Sequence, residues 1–309
     1  MPDNRSTRDA GALGGDASNY PAVQNVRLGD GRQLAWYEFG DPMGKPCIFV
    51  PGTPAGGAFG AIYHEAAQQA GVRWISVDKP GYGHSDFQAN RRLLDWPQDV
   101  AALADQLGLR RFAAVGESGG GPYALAMAYA IPDRLTLTIA LAGLGPAHES
   151  WVRQGMKPLN RRLFWLARNA PWLLRWPMGS MARSLDNPKN GAQWLIKQTE
   201  EQPMADQEVL RRHPEVPERM LYGLRMAFRC GSAGAAQEMA MLTQPWGFSL
   251  HDIRSPVQVW HGAQDVNVPL AVALRVAEEI PGCARRIASD RGHLLLDMAD
   301  ELMATVASA

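Results

Sequence analysis

The stretch Val115-Gly116-Glu117-Ser118-Gly119-Gly120-Gly121 carries the sharpest chemical signal in the chain. It follows Phe112 to Val115, which reads as a strand, and opens Gly120 to Ala130, which reads as a helix. A strand that becomes a helix within a residue or two forces the residue between them into a strained backbone, and flanking glycines leave room for it. The Ser118 hydroxyl then stands free near a helix N-terminus, where the helix dipole favours developing negative charge. That is the placement of a nucleophile that attacks a carbonyl carbon. A glycine-rich turn can also cradle phosphate, but neither G-x-x-x-x-G-K-[ST] nor G-x-G-x-x-G is present.

A serine nucleophile needs a base, and the base needs an orienting acid. The strand Val257 to Trp260 runs into His261-Gly262-Ala263-Gln264-Asp265, which puts Asp265 just past a strand C-terminus. An α/β sheet places its site residues there. Ser289-Asp290-Arg291-Gly292-His293 falls between the last short strand and the last helix. The order Ser118, Asp265, His293 resembles the α/β-hydrolase family, whose nucleophile, acid and histidine follow one another in that order. Asp78-Lys79-Pro80-Gly81-Tyr82-Gly83-His84-Ser85-Asp86 resembles the family's D-x-P-G-x-G-x-S turn, and Val50-Pro51-Gly52-Thr53-Pro54 occupies the place of its oxyanion loop. Pro245-Trp246-Gly247-Phe248 through His261-Gly262 resembles its return from cap to core. One departure stands out: the family's oxyanion loop commonly begins His-Gly, and this one begins Pro51-Gly52. The resemblance covers about 22 to 145 and 245 to 309. It implies a Ser118–His293–Asp265 triad, with the backbone N–H groups of Thr53 and Gly119 as oxyanion donors.

Other residues compete for these roles. His261 is expected to pack, His84 to serve the glycine turn or the pocket rim, and Glu117 to hydrogen-bond locally. Asp290 is the alternative acid. The pairs Arg161-Arg162 and Arg211-Arg212 read as solvated surface.

Elements must hold these residues in place. Val23 to Leu28 and Gln33 to Phe39 read as a hairpin across Gly29-Asp30-Gly31. Cys47 to Val50, Val72 to Val77, Phe112 to Val115 and Leu135 to Leu141 are apolar runs bounded by turn signals, as strands buried on both faces are. Helical stretches at Ala61 to Ala70, Leu94 to Leu107 and Gly120 to Ala130 alternate with them. The alternation predicts an α/β fold: a mostly parallel central sheet flanked by helices, with right-handed crossovers. It stops near Leu144-Gly145-Pro146 and returns at Pro256, with a helix at Ala271 to Glu279, a strand at Ala284 to Ile287 and a last helix at Asp297 to Val306. The predicted organisation is a disordered tail over 1–19, a core over 20–145 and 246–309, and an inserted all-helical cap over 146–245. That insertion holds Trp151, Trp165, Trp172, Trp176 and Trp194, half of the chain's ten tryptophans. They line an apolar pocket or pack surface helices; the pattern leaves both readings open.

Composition narrows the function. The chain has 309 residues, 46% hydrophobic and 20% charged, as a globular protein does. Lys and Arg number 31 and Asp and Glu 31, a balance that argues against a broad nucleic-acid interface. No apolar run is long enough to span a membrane. The N-terminal residues lack the apolar core of a secretory signal. The scattered Cys47, Cys230 and Cys283 suggest neither disulfides nor a metal cluster, and a cytoplasmic setting is expected. The expected activity is hydrolysis of a carboxylic ester of a small, largely apolar molecule, with no metal or organic cofactor. His293 is expected to act as base, with activity rising with pH through an apparent pKa near ~6–7. C–C bond, thioester and amide or aminopeptidase hydrolysis on the same residues, and non-catalytic binding of a small molecule, remain open, as does the oligomeric state.

Overall fold

A computed structural model describes residues 20–309; the expected tail over 1–19 lies outside the described residues. Eight strands form one sheet: β1 (Gln24–Arg27), β2 (Gln33–Gly40), β3 (Lys45–Val50), β4 (Val72–Val77), β5 (Phe112–Glu117), β6 (Leu135–Leu141), β7 (Val257–Gly262) and β8 (Ala284–Ala288). Their order across the sheet is β1-β2-β4-β3-β5-β6-β7-β8. The β1–β2 and β2–β4 pairs are antiparallel and all others parallel. The expected α/β class and mostly parallel sheet are therefore present.

The helices are α1 (His64–Gln69), α2 (Trp96–Gln106), α3 (Gly121–Ala130), α4 (Ser150–Arg153), α5 (Pro158–Asn169), α6 (Arg175–Asp186), α7 (Pro188–Glu200), α8 (Met204–Arg212), α9 (Val216–Ala227), α10 (Ala233–Leu242), α11 (Leu270–Glu279) and α12 (Ala299–Ala307). Strand side chains alternate between the two faces of the sheet. Ile48 and Val50 of β3 pack with Leu103 of α2, Leu125 of α3 and Val272 of α11. Cys47 and Phe49 face the other way, into a core with Trp74, Trp260 and Met303 of α12. Helix α3 (GPYALAMAYA) is apolar nearly all round because it lies buried, Tyr123 to Ala128 included.

The stretch read as a helix from Ala61 begins instead as a 3₁₀ turn, Gly57–Tyr63, and only then becomes α1. Gly57 is drawn in because its N–H donates to Asp78 Oδ1 at 2.6 Å. The region between β6 and β7 carries helices α4 to α10 and no strand among the described residues. It has its own apolar cluster, built around Leu174, Met178, Leu185, Phe228 and Met239 and joined to the sheet domain through Tyr82. No helix among the described residues is long and apolar enough to cross a membrane.

Candidate active site

Ser118 stands between β5 and α3 with φ +52°, a left-handed conformation that a side-chain-bearing residue adopts only under constraint. The turn is tight enough to exclude side chains on its neighbours. A Cβ on Gly116 would lie 2.2 Å from the Gly120 carbonyl oxygen, and one on Gly120 would lie 2.0 Å from that of Val50. A Cβ on Gly119 would meet Thr53, 2.2 Å from Oγ1 and 3.1 Å from the backbone nitrogen. The Pro51–Pro54 loop thus runs against Ser118, with the backbone of Thr53 beside that of Gly119. The Thr53–Pro54 peptide is cis.

Asp265 and His293, 28 residues apart, meet at the C-terminal ends of β7 and β8: His293 Nδ1 lies 2.7 Å from Asp265 Oδ2. The other carboxylate oxygen accepts from the backbone N–H groups of Asn267 at 2.8 Å and Val268 at 2.9 Å. Burial would raise the Asp265 carboxyl, but His293 and His261 hold it below its ordinary range. It is therefore an anion aimed at the Nδ1 edge of the imidazole. Asp290 is exposed and pairs with Arg291, so it does not serve His293. His261 is buried, with Nε2 2.8 Å from the Val268 carbonyl oxygen and 3.3 Å from Asp265 Oδ2; it packs behind Asp265. His84 contacts Tyr37 within the glycine turn.

Ser118 and His293 line one cavity of about 490 Å³ beneath the helices between β6 and β7. Its walls are mostly apolar, among them Leu163, Phe164, Met178, Met181, Leu224 and Met239. Of the five tryptophans in the insertion, Trp194 lines it. Trp165, Trp172 and Trp176 point to solvent, which corrects the expectation that they line a pocket or pack. Trp151 packs beneath the Arg275 guanidinium, 4.2 Å from its ring centre. Among the described residues no cluster of His, Cys, Asp and Glu is placed to hold a metal ion.

The model of the Alpha/beta hydrolase family matches residues 47–305. The chain belongs to that family. Curated relatives include a 2-hydroxy-6-oxo-6-phenylhexa-2,4-dienoate hydrolase of Comamonas testosteroni, 36% identical over 43% of this chain and 48% of its own. Another is the dihydrolipoyllysine-residue acetyltransferase component of an acetoin cleaving system of Pseudomonas putida, 35% identical over 46% of this chain and 39% of its own. The chain spans under half the length of these relatives. Among solved structures, an esterase from Exiguobacterium antarcticum superposes with TM-score 0.64 at 19% identity, covering 92% of this chain and 98% of its own. An alpha/beta hydrolase fold protein from Nakamurella multipartita does so with TM-score 0.66 at 21% identity, covering 93% and 98%. These likenesses show the shared fold.

Three features of this alpha/beta hydrolase escaped sequence reasoning. The first is Asp206 of α8, fully buried, whose two oxygens accept from the backbone N–H groups of His293 at 3.0 Å and Leu294 at 2.8 Å. A Cβ on Gly292 would strike that carboxylate at 2.4 Å, so the glycine in Arg291-Gly292-His293 makes room for it. The second is the charge state of His293. Burial pushes the imidazole down, but Asp265, Asp206 and Glu117 outweigh burial and hold it up at about 9. That differs from the expectation of an apparent pKa near ~6–7: one carboxylate contacts the ring and two more lie near enough to act on it through charge. The third is Glu117 itself. Burial raises it to about 7, while His293 and the neighbouring Tyr63 hydroxyl pull it down.

A buried ion pair stands behind the loop that begins Pro51-Gly52. Lys79 Nζ lies 2.9 Å from Glu238 Oε1 of α10 and donates to the carbonyl oxygens of Pro51 at 2.9 Å and Gly52 at 2.8 Å. Glu238 Oε2 accepts from Thr53 Oγ1 at 2.8 Å and from the Tyr82 hydroxyl. Burial would raise the Glu238 carboxyl, but Lys79 and Arg91 hold it below its ordinary range. One ion pair therefore grips three consecutive residues of the loop that faces Ser118.

Proposed function

We propose that this chain is a serine hydrolase that cleaves a carboxylic ester of a small, largely apolar molecule through an acyl-enzyme. The observation that carries the reading is a strained Ser118 sharing an apolar cavity with His293, whose Nδ1 is held by the buried carboxylate of Asp265. In the proposed reaction neutral His293 accepts the Ser118 hydroxyl proton at Nε2 as Oγ attacks the ester carbonyl carbon. The carbonyl oxygen becomes an oxyanion, stabilised by the backbone N–H groups of Gly119 and Thr53. One such donor contributes ~3 kcal/mol. The proton passes from His293 to the departing alcohol. A water molecule, giving its proton to His293, then cleaves the acyl-enzyme and regenerates Ser118.

The cavity lining favours a neutral substrate. Glu117 and Asp206 are among its residues, whereas Lys and Arg are not. The C. testosteroni relative is named for a dienoate, which carries a carboxylate. A carboxylate buried here would meet the like charge of Asp206, and the one cation in the lining, protonated His293, is already paired with Asp265, a costly arrangement. Neutral esters avoid that cost, so ester hydrolysis is preferred over C–C hydrolysis of an anionic substrate.

The test is Ser118→Ala assayed on p-nitrophenyl esters of graded acyl length, beside labelling of the parent with a fluorophosphonate. The parent is expected to label at Ser118. The variant is expected to lose ~10⁴–10⁶ in kcat while keeping its melting temperature. A folded variant retaining a tenth of parental turnover refutes the assignment of the nucleophile.

A further inference from the structure

The helices that wall the cavity on their inner side present an unusual outer side. Trp165 of α5, Trp172 of the following 3₁₀ turn (Pro171–Leu174) and Trp176 of α6 are 63%, 68% and 78% exposed. Residues 150–185 contain seven Lys or Arg and no Asp or Glu, in a chain whose charges balance only when this segment is included. Arg161, Arg162, Arg175 and Arg183 are exposed, and the ion pairs of the described residues pass from His148–Glu149 directly to Arg211–Glu208. On α5, Arg161, Arg162, Trp165 and Arg168 follow at helical spacing on the exposed side, while Leu163, Phe164 and Ala167 turn inward. On α6, Trp176, Ser180 and Arg183 repeat the outer pattern above an inward Met178 and Leu185.

We propose that this outer face of the helical insertion docks on an anionic lipid surface. The inference concerns the surface chemistry of α5 to α6 and does not depend on Ser118 being reactive. Tryptophan has an apolar body and a polar N–H, and it settles where hydrocarbon meets headgroups. Clustered cations are drawn to anionic lipid and need no acidic partner within the protein. Large aromatics left in water together are otherwise unfavourable and mark an interaction surface. A second copy of this chain is the poorer occupant, since a two-fold contact would press cations against cations. A nucleic-acid strand could stack on Trp and pair with Arg, but it leaves one fact without a reason. Leu159 of α5 is 56% exposed and also lines the cavity, so the cavity opens beside the Trp and Arg face. A docked insertion would bring an apolar cavity to the surface of an apolar phase, where a lipid-soluble molecule partitions.

The experiment is co-sedimentation of the full chain with vesicles of phosphatidylcholine alone or with phosphatidylglycerol added, at about 0.1 M salt. Binding to the anionic vesicles is expected to be on the order of tenfold stronger or more, and to weaken as salt rises. Replacing Arg161, Arg162 and Arg175 together by Gln is expected to weaken it on the order of a hundredfold. The triple substitution Trp165→Ser, Trp172→Ser, Trp176→Ser is expected to abolish it. Both variants should keep the parental melting temperature and turnover of a short soluble ester. If the tryptophan variant fails to fold, the arginine variant, which alters charges exposed to solvent, decides alone. Equal binding to both vesicle types, no binding to either, or parental binding by the variants overturns the proposal. So does tighter capture by a single-stranded oligonucleotide, or a dimer in sedimentation velocity that the tryptophan substitutions dissolve.

Discussion

His293 sits among Asp265, Asp206 and Glu117, and its proton is held more firmly than that of a histidine in water. A general base must be neutral, so the sign of the pH dependence follows. For the proposed base, activity should rise with pH through an apparent pKa of about 9. Asp206 reaches the ring's backbone rather than the ring, which makes it a positioning residue that also adds negative charge. Asp206→Asn should move the ascending limb of kcat/KM to lower pH; a limb that stays in place would mean Asp206 supports the loop without acting on the ring. The same shift has a stability counterpart. Because the folded pKa lies above the unfolded one, His293 stabilises the fold fully below about pH 6.5. That contribution fades as pH climbs through about 9, which urea melts at graded pH can follow. The acid itself is tested by comparison. Asp265→Asn should cost ~10⁴ in kcat by leaving the imidazole in the wrong tautomer. Asp290→Asn, which alters an exposed pair with Arg291, should cost little. Reversal of those two results would transfer the role of acid to Asp290.

At the scale of elements, the ion pair of Lys79 and Glu238 joins the β4 turn, the Pro51–Pro54 loop and α10. Replacing one partner strands a charge in a fully buried site. Glu238→Gln should therefore cost about 3–5 kcal/mol in urea unfolding, whereas Lys79→Met with Glu238→Gln should recover much of it. The double variant should still be slow in kcat with KM little changed, since the loop beside Ser118 loses the cation that grips its carbonyl groups. Unaltered kcat in a folded double variant would show that the loop holds its geometry without the pair. None of this could be read from the chain in advance. Thr53 and Glu238 lie 185 residues apart, and a lone Glu in an Ala-rich helix reads as a solvated residue. Asp206 and His293 are separated by 87 residues in the same way. The strained turn at Ser118 and the contact of Asp265 with His293 could be anticipated because each residue sits in a short local pattern: glycines around a turn, a strand end, a late loop. The strands were legible for a like reason, since burial on both faces leaves an unbroken apolar run in β3, β5 and β6. The outward tryptophans were not, because a Trp at helical spacing has the same signature whether its face meets a core, a ligand or solvent. Only packing distinguishes the inward Trp194 from the outward Trp165.

At the scale of the molecule, the insertion between β6 and β7 does two things with one set of helices. It roofs a cavity of about 490 Å³ and presents an aromatic, cationic face outward. The two faces should therefore separate by mutation. Burial of each added methylene stabilises a bound acyl chain by ~0.8 kcal/mol, roughly fourfold in kcat/KM. Selectivity among p-nitrophenyl esters should climb with acyl length until the cavity is full and then fall as the chain meets the wall. Trp194→Ala removes wall and leaves the Ser118 elbow untouched, so the optimum should move to a longer acyl group while turnover of the acetate ester persists. Trp165→Ala, Trp172→Ala and Trp176→Ala should leave the optimum where it is, because their rings are not part of the lining. A profile unchanged by Trp194→Ala, or one displaced by the three outward tryptophans, would mean that the cavity described does not receive the acyl group. The substrate would then have to approach Ser118 by another route.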